Sequence, residues 1–227
     1  MVQSEIFNRV FRLIYGNSGG TTFTIEHNNM QFLVTAKHIF EKAGYPDSGT
    51  ISLLIEGQYA PLEVEIRYPV DPHIDIAVMK SKDNRFTSRV YNNSNTSKGL
   101  IWGQDVFFLG FPYEYDRHLK SFPNSKTPVP FVKKACFSGA LDDGHSCILL
   151  DGHNNKGFSG GPVCFKPVDS AKKTMSIAAV VSGYRFEKQK VFDKNDQETE
   201  SYIKSNTGII VAYDIQEAIE IAKHWNT

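Results

Sequence analysis

Apolar and polar positions run along most of this chain in short stretches bounded by Gly, Pro, Asn or Asp, the pattern of β-strands joined by turns. From Thr21 the stretches TTFTIE, QFLVTA, ISLLIE, YAPLEVEIRY and DIAVMK predict strands, with His27-Asn28-Asn29 as a turn after the first. Strands resume with DVFFLGFP, VPFVKKACFSGAL, SCILLD, GPVCFKPV, MSIAAVVSGYRF and TGIIVAYDI. At the two ends the period changes. Ile6, Phe7, Val10, Phe11 and Ile14 stand at helical spacing and predict an amphipathic helix over residues 4–15, laid against the body of the protein. Ile215, Ala218, Ile219 and Ala222 predict a closing helix on the second half.

The stretch from Ser81 to Gly99 is polar, rich in Asn and Ser and nearly free of aliphatic residues, so it reads as a connection between two halves. The expected organisation is a helical segment over 1–15, a first β-domain over 16–85, a linker over 86–99, a second β-domain over 100–214 and a helix over 215–227. Residues 187–201 are so charged that a solvated hairpin or loop is expected. No internal sequence repeat is evident.

Lys+Arg and Asp+Glu both number 25, so no broad basic field offers itself to nucleic acid or an anionic membrane. Cys136, Cys147 and Cys164 are an odd number without C-x-x-C spacing, which predicts small buried thiols, not a disulfide framework or a zinc knuckle. No apolar run reaches the roughly 18 residues of a membrane span, and the first residues lack the basic and apolar regions of a secretory leader. A cytoplasmic protein is expected, and the N-x-S/T patterns at Asn92 and Asn95 then read as linker composition.

Chemistry concentrates in three places. Gly157-Phe158-Ser159-Gly160-Gly161-Pro162 puts a serine among glycines between two predicted strands. Glycines there allow the N–H groups of Gly157 and Ser159 to aim at one point, as an oxyanion hole requires. Val34-Thr35-Ala36-Lys37-His38 ends an apolar strand in a histidine, whose ordinary pKa of about 6.5 suits a general base. In His73-Ile74-Asp75-Ile76-Ala77-Val78, Asp75 lies between apolar neighbours, where a carboxylate needs a buried partner; His38 is the expected one. His73 is a second candidate base. Gly16-Asn17-Ser18-Gly19-Gly20 imitates the serine motif but precedes the histidine, and reads as a glycine-rich lead into the first β-domain. His27, His118 and His224 read as surface residues, and His145 with Cys147 lacks the further ligands of a metal site. No cofactor and no metal are expected.

T-A-x-H, then D-I-A-V, then G-x-S-G-G-P, with Gly110-Phe111-Pro112 after a second-half strand, resemble the chymotrypsin-like serine protease family over nearly the whole chain. The resemblance implies an all-β fold of two six-stranded barrels, a triad of His38, Asp75 and Ser159, and a peptide or protein substrate. Three departures bring it nearest to bacterial and viral intracellular or stress-type members: no R-I-V-G-G-like activation site occurs, Phe158 replaces the aspartate before the nucleophile, and Ile39 follows the histidine where secreted members carry a bridging cysteine. Activation by insertion of a new N-terminus is therefore not expected. The resemblance also places the pocket for the side chain before the scissile bond on Asp151–Lys156 and on Val181-Ser182-Gly183-Tyr184-Arg185, the latter pairing with substrate backbone. His153 stands where an acid would select Lys or Arg, and His153, Lys156 and Arg185 would favour an acidic or polar side chain. The expected function is serine endopeptidase. The alternatives are a latent module awaiting a partner or oligomer, and a pseudoprotease that only binds peptide.

Overall fold

Asn28 and Asn29 both have positive φ (49° and 60°), the conformation of a two-residue hairpin turn whose twist matches that of its strands. The turn sets the register on either side from His27↔Met30 to Phe23↔Val34. Repeated hairpins of this kind build the molecule, described in a computed structural model for residues 2–82, 94–113, 128–141, 143–168 and 174–225. Most of the polar connection, His118 and Asn92 lie outside the described residues.

Strands β1 (Val10–Tyr15), β2 (Ser18–His27), β3 (Met30–Thr35), β4 (Ser48–Ile55), β5 (Gln58–Arg67) and β6 (Ala77–Ser81) close a barrel in the order β1-β2-β3-β6-β5-β4. Strands β7 (Asp105–Gly110), β8 (Phe131–Ala140), β9 (Cys147–Asp151), β10 (Pro162–Phe165), β11 (Ser176–Phe192) and β12 (Glu198–Asp214) close a second in the order β10-β11-β12-β9-β8-β7. Counted from β7, the second barrel repeats the strand order of the first without any repeat of sequence. Every pairing between named strands is antiparallel, and closure (β1 on β4, β10 on β7) leaves no open sheet edge within either barrel.

Three apolar clusters hold this together. One fills the first barrel around Leu13, Leu33, Phe40, Leu53 and Met79. Another fills the second around Phe108, Phe137, Leu150, Phe158 and Ile210. The third lies between the barrels and takes Phe23, Phe32, Val34, Ile76, Leu109 and Ile177. Leu33 therefore points into its barrel while Phe32 and Val34 point at the other one, so β3 is buried on both faces and apolar without alternation.

The same double burial corrects the N-terminal expectation. Helix α1 is a single turn, Ser4–Phe7, and Val10–Tyr15 is strand β1 instead of the continuation of a helix. Val10 packs between the barrels, Phe11 and Leu13 pack inside the first, and the buried Arg12 guanidinium donates to the Gly20 carbonyl at 2.9 Å. Apolar side chains on both faces imitate helical spacing. Helix α2 (Ile215–Lys223) starts as expected, with the Asp214 side chain accepting from the Gln216 N–H (2.9 Å). It does not rest on the second half alone, however. Ile215, Ala218 and Ala222 join the cluster between the barrels, and Trp225 reaches first-barrel Phe32 and the Arg67 guanidinium, 4.6 Å from its ring. The helix clamps both barrels because its apolar stripe meets the groove where both barrels present apolar faces.

The charged segment 187–201 belongs to a long β11–β12 hairpin. Cys147 and Cys164 are buried and Cys136 is half-buried, all three as free thiols. Among the described residues no helix is long and apolar enough to cross a membrane.

Candidate active site

A short 3-10 helix, Lys37–Ala43, follows β3 and carries His38 in its first turn. Asp75 lies just before β6, between the buried Ile74 and Ile76. β3 and β6 are neighbours (Thr35↔Ala77), so the sheet itself brings the two side chains together. Asp75 accepts twice from His38, at Oδ1 from the backbone N–H (2.8 Å) and at Oδ2 from the ring Nδ1 (2.6 Å). A carboxylate only accepts, so Nδ1 holds a proton and the Nε2 lone pair is left outward. Burial works to lower the pKa of His38, but the hydrogen bond and negative charge of Asp75, together with the charge of Glu41, outweigh it and raise it above the ordinary histidine value. The ring remains 43% exposed while the Asp75 side chain is only 16% exposed, so the histidine is open to a ligand and its partner is largely covered.

Ser159 belongs to the second barrel, on the turn between β9 and β10. Its Oγ donates to the Ser182 carbonyl at 2.9 Å. A hydroxyl has one proton, so in this state it is not donated to His38. The Ser182 hydroxyl in turn donates to Asp75 Oδ2 at 2.5 Å. Ser159, Ser182, Asp75 and His38 thus form one polar chain across the two barrels. The sequence reading placed Ser182 only in the substrate strand; its hydroxyl bond to Asp75 had no signal in the residues, because it joins positions 107 apart.

The turn before Ser159 is held from several sides. Phe158 is fully buried in the second barrel and packs edge-on against Phe108. The Thr21 hydroxyl donates to the Gly157 carbonyl (2.6 Å) and accepts from the Phe111 N–H (3.1 Å), and the Thr21 N–H donates to the Ser159 carbonyl (2.8 Å). The glycine-rich stretch at 16–20, the β1–β2 turn and start of β2, therefore delivers Thr21 to the serine turn. The N–H groups of Phe158, Gly160 and Gly161 find carbonyl acceptors at Asn155, Val181 and Phe158. Those of Gly157 and Ser159 donate to no other group among the described residues. Two donors are left over on either side of Phe158. Gly157 has φ +100°, and a Cβ there would come within 2.2 Å of the Phe111 carbonyl oxygen, so only glycine keeps this turn.

His153, Lys156 and Arg185 are exposed, and Ser182 and Gly183 are half-buried. Val181 turns its side chain into the second barrel, leaving only backbone to face a ligand. Two residues that the sequence did not single out, Asn154 within the expected pocket segment and Lys133 outside it, organise this wall. Asn154, buried, donates to the Gly183 carbonyl (3.1 Å) and so ties the turn to β11. Lys133 on β8 reaches the His153 carbonyl (2.6 Å) and Asn155 Oδ1 (2.5 Å), and its desolvation lowers its pKa. Nothing in the sequence distinguishes it from the adjacent Lys134. His73 is not drawn into the Asp75 pair: its ring lies 4.6 Å from that of His145. His145 turns away from Cys147 to Asp71 Oδ2 (2.5 Å), joining loops of the two barrels. That bond raises the His145 pKa, while the His73 N–H and the His145 ring hold Asp71 low.

No family model and no curated protein matches this chain. Solved structures do. An inactive form of the protease Rv3671c from M. tuberculosis H37Rv superposes with a TM-score of 0.56 at 16% identity, over 98% of this chain and 89% of that one. The MamO protease domain from Magnetospirillum magneticum gives 0.53 at 13%, over 96% and 97%. The HtrA-type protease AlgW with a tripeptide gives 0.56 at 18%, over 97% of this chain and 60% of that one. The fold is chymotrypsin-like. Within the chymotrypsin-like fold the polar chain just described joins the two barrels, its histidine and aspartate from the first and its two serines from the second.

Proposed function

We propose that the protein is a serine endopeptidase in which Ser159 is the nucleophile, His38 the general base and Asp75 the residue that orients it. The observation that carries this reading is the polar chain from Ser159 through Ser182 and Asp75 to His38, with two unengaged N–H groups beside the serine. A peptide seated on the Ser182 carbonyl displaces the Ser159 hydroxyl, which then rotates toward His38 Nε2. Oγ attacks the substrate carbonyl carbon as Nε2 takes its proton, and the N–H groups of Gly157 and Ser159 hold the resulting oxyanion. Collapse breaks the C–N bond, and the amine leaves with the proton from His38. Water, deprotonated by His38, then hydrolyses the ester and frees the acid and Ser159. Peptide-bound relatives of the same fold, such as AlgW with its tripeptide, support a peptide as the ligand of this cleft.

A fluorophosphonate probe tests the reading directly, because it reacts only with an activated serine. Intact mass should show one adduct, at Ser159, absent from His38→Ala. An unlabelled wild-type chain would instead favour the latent module, whose resting state is the hydroxyl donated to Ser182.

Gly157→Ala provides a second check. The 2.2 Å approach to Phe111 and the positive φ force the turn to reorient, removing one oxyanion donor, so kcat should fall about 100- to 1000-fold. Circular dichroism unchanged from wild type would confine the effect to the turn.

A further inference from the structure

β9 reaches no further than Asp151, opposite Cys136. From Phe131 to Ala135, β8 therefore has β7 alone as a paired strand among the described residues, with Phe108 opposite Lys133. The space beside this overhang is taken by the start of the turn that leads to Ser159. A Cβ at Gly152 would come within 2.8 Å of the Ala135 side chain.

Lys133, half-buried on the overhang, is the cation that this packing sets against the turn. An ammonium has three protons. Two are donated, to the His153 carbonyl (2.6 Å) and to Asn155 Oδ1 (2.5 Å), and Nζ also stands 5.5 Å from the centre of the Phe158 ring. One side chain thus engages three residues of the segment 153–158. Asn155 passes the constraint on, because its Nδ2 donates to the Tyr113 hydroxyl (2.8 Å) and its carbonyl accepts from the Phe158 N–H (3.4 Å).

The adjacent Lys134 reaches a carboxylate, Asp105, at 2.8 Å. Lys133 reaches none among the described residues, and burial alone lowers its pKa. A partly desolvated ammonium without a counter-charge costs stability, and an apolar side chain of similar length would suit the second barrel better. Such a departure from local consistency marks a position kept for function. The first barrel already grips the turn at the Gly157 carbonyl through Thr21. Lys133 supplies the opposing grip from the second barrel, and the Gly157 and Ser159 N–H groups stay undonated between the two.

We propose that Lys133 is a positioning residue for the oxyanion site: by holding His153, Asn155 and the Phe158 ring, it fixes the turn with the Gly157 and Ser159 N–H groups free for substrate. This rests on the peptidase reading, which gives those two groups their role.

Lys133→Met and Lys133→Arg test it in the full chain. Met keeps the length and loses both hydrogen bonds, so kcat on fluorogenic casein and the rate of fluorophosphonate labelling should each fall about 100-fold, with KM within about three-fold of wild type. Its melting temperature should not fall, because the desolvated charge is gone. Arg donates to the same acceptors and stacks on aromatic rings, so it should restore both rates to within about ten-fold of wild type. Wild type and Lys133→Met labelling equally fast, or Lys133→Arg no faster than Lys133→Met, would overturn the positioning role and leave the peptidase standing. An unlabelled wild type removes the peptidase instead, and amide 1H–15N spectra then decide the grip on the turn. The Gly157 and Ser159 signals should move in Lys133→Met and hold in Lys133→Arg; signals unmoved in Lys133→Met would overturn it.

Discussion

Ser159→Ala should lower peptide hydrolysis by about a million-fold in kcat with little change in KM, the loss expected when the nucleophile of a cooperating serine and histidine is removed. The fold should survive. Ser159 Oγ makes one hydrogen bond, to the Ser182 carbonyl, and loss of such a bond costs about 1 kcal/mol. The N–H of residue 159 persists in the variant, so the oxyanion site keeps both donors and binding is spared. His38→Ala should lose about as much, and the double variant little more, because the two act in one step. Steady-state cleavage of a fluorogenic casein substrate reads the effect. Residual activity within a hundred-fold of wild type would exclude Ser159 as the nucleophile.

Asp75→Asn should cost about 10,000-fold in kcat near neutral pH while leaving the backbone in place. The carboxylate accepts from the His38 N–H, from its Nδ1–H and from the Ser182 hydroxyl. An amide nitrogen facing Nδ1 donates instead, which drives the ring proton onto Nε2 and removes the base. The pH dependence carries a second signature. A peptidase working through His38 needs it neutral, and its pKa is raised by Asp75 and Glu41 against the lowering effect of burial, so kcat/KM of the wild type should climb through a limb above the ordinary histidine value of about 6.5. In the variant the raising hydrogen bond and charge of Asp75 vanish while burial remains and only the smaller effect of Glu41 opposes it, so the limb should move to lower pH. A limb that stays where it was would mean that another group, not the His38 and Asp75 pair, sets the profile.

How much of this was legible before folding differs from residue to residue. His38, Asp75 and Ser159 were singled out by short local patterns and the structure links them through Ser182, and local pattern also gave most of the strands, the Asn28-Asn29 turn and the buried stripe of α2. Val10–Tyr15 was misread because a strand covered on both sides loses its period of two. Phe158 could be recognised as a departure, but not as the buried plug beneath the Ser159 turn. Thr21, Lys133 and Asn154 carried no motif, and their roles come from partners as far as 136 positions away.

The sequence by itself determined an all-β chain, its turn positions and the chemical types available at the site, since these follow from period, backbone permission and side-chain identity over a few neighbouring residues. Only the tertiary structure decided that two unlike halves share one strand order, that α2 and Trp225 clamp both, that Ser182 completes the link from serine to carboxylate, and that β11 runs on past its barrel paired with β12. Each of these depends on which distant surfaces meet, and burial and hydrogen bonding between remote segments leave no mark in local spacing.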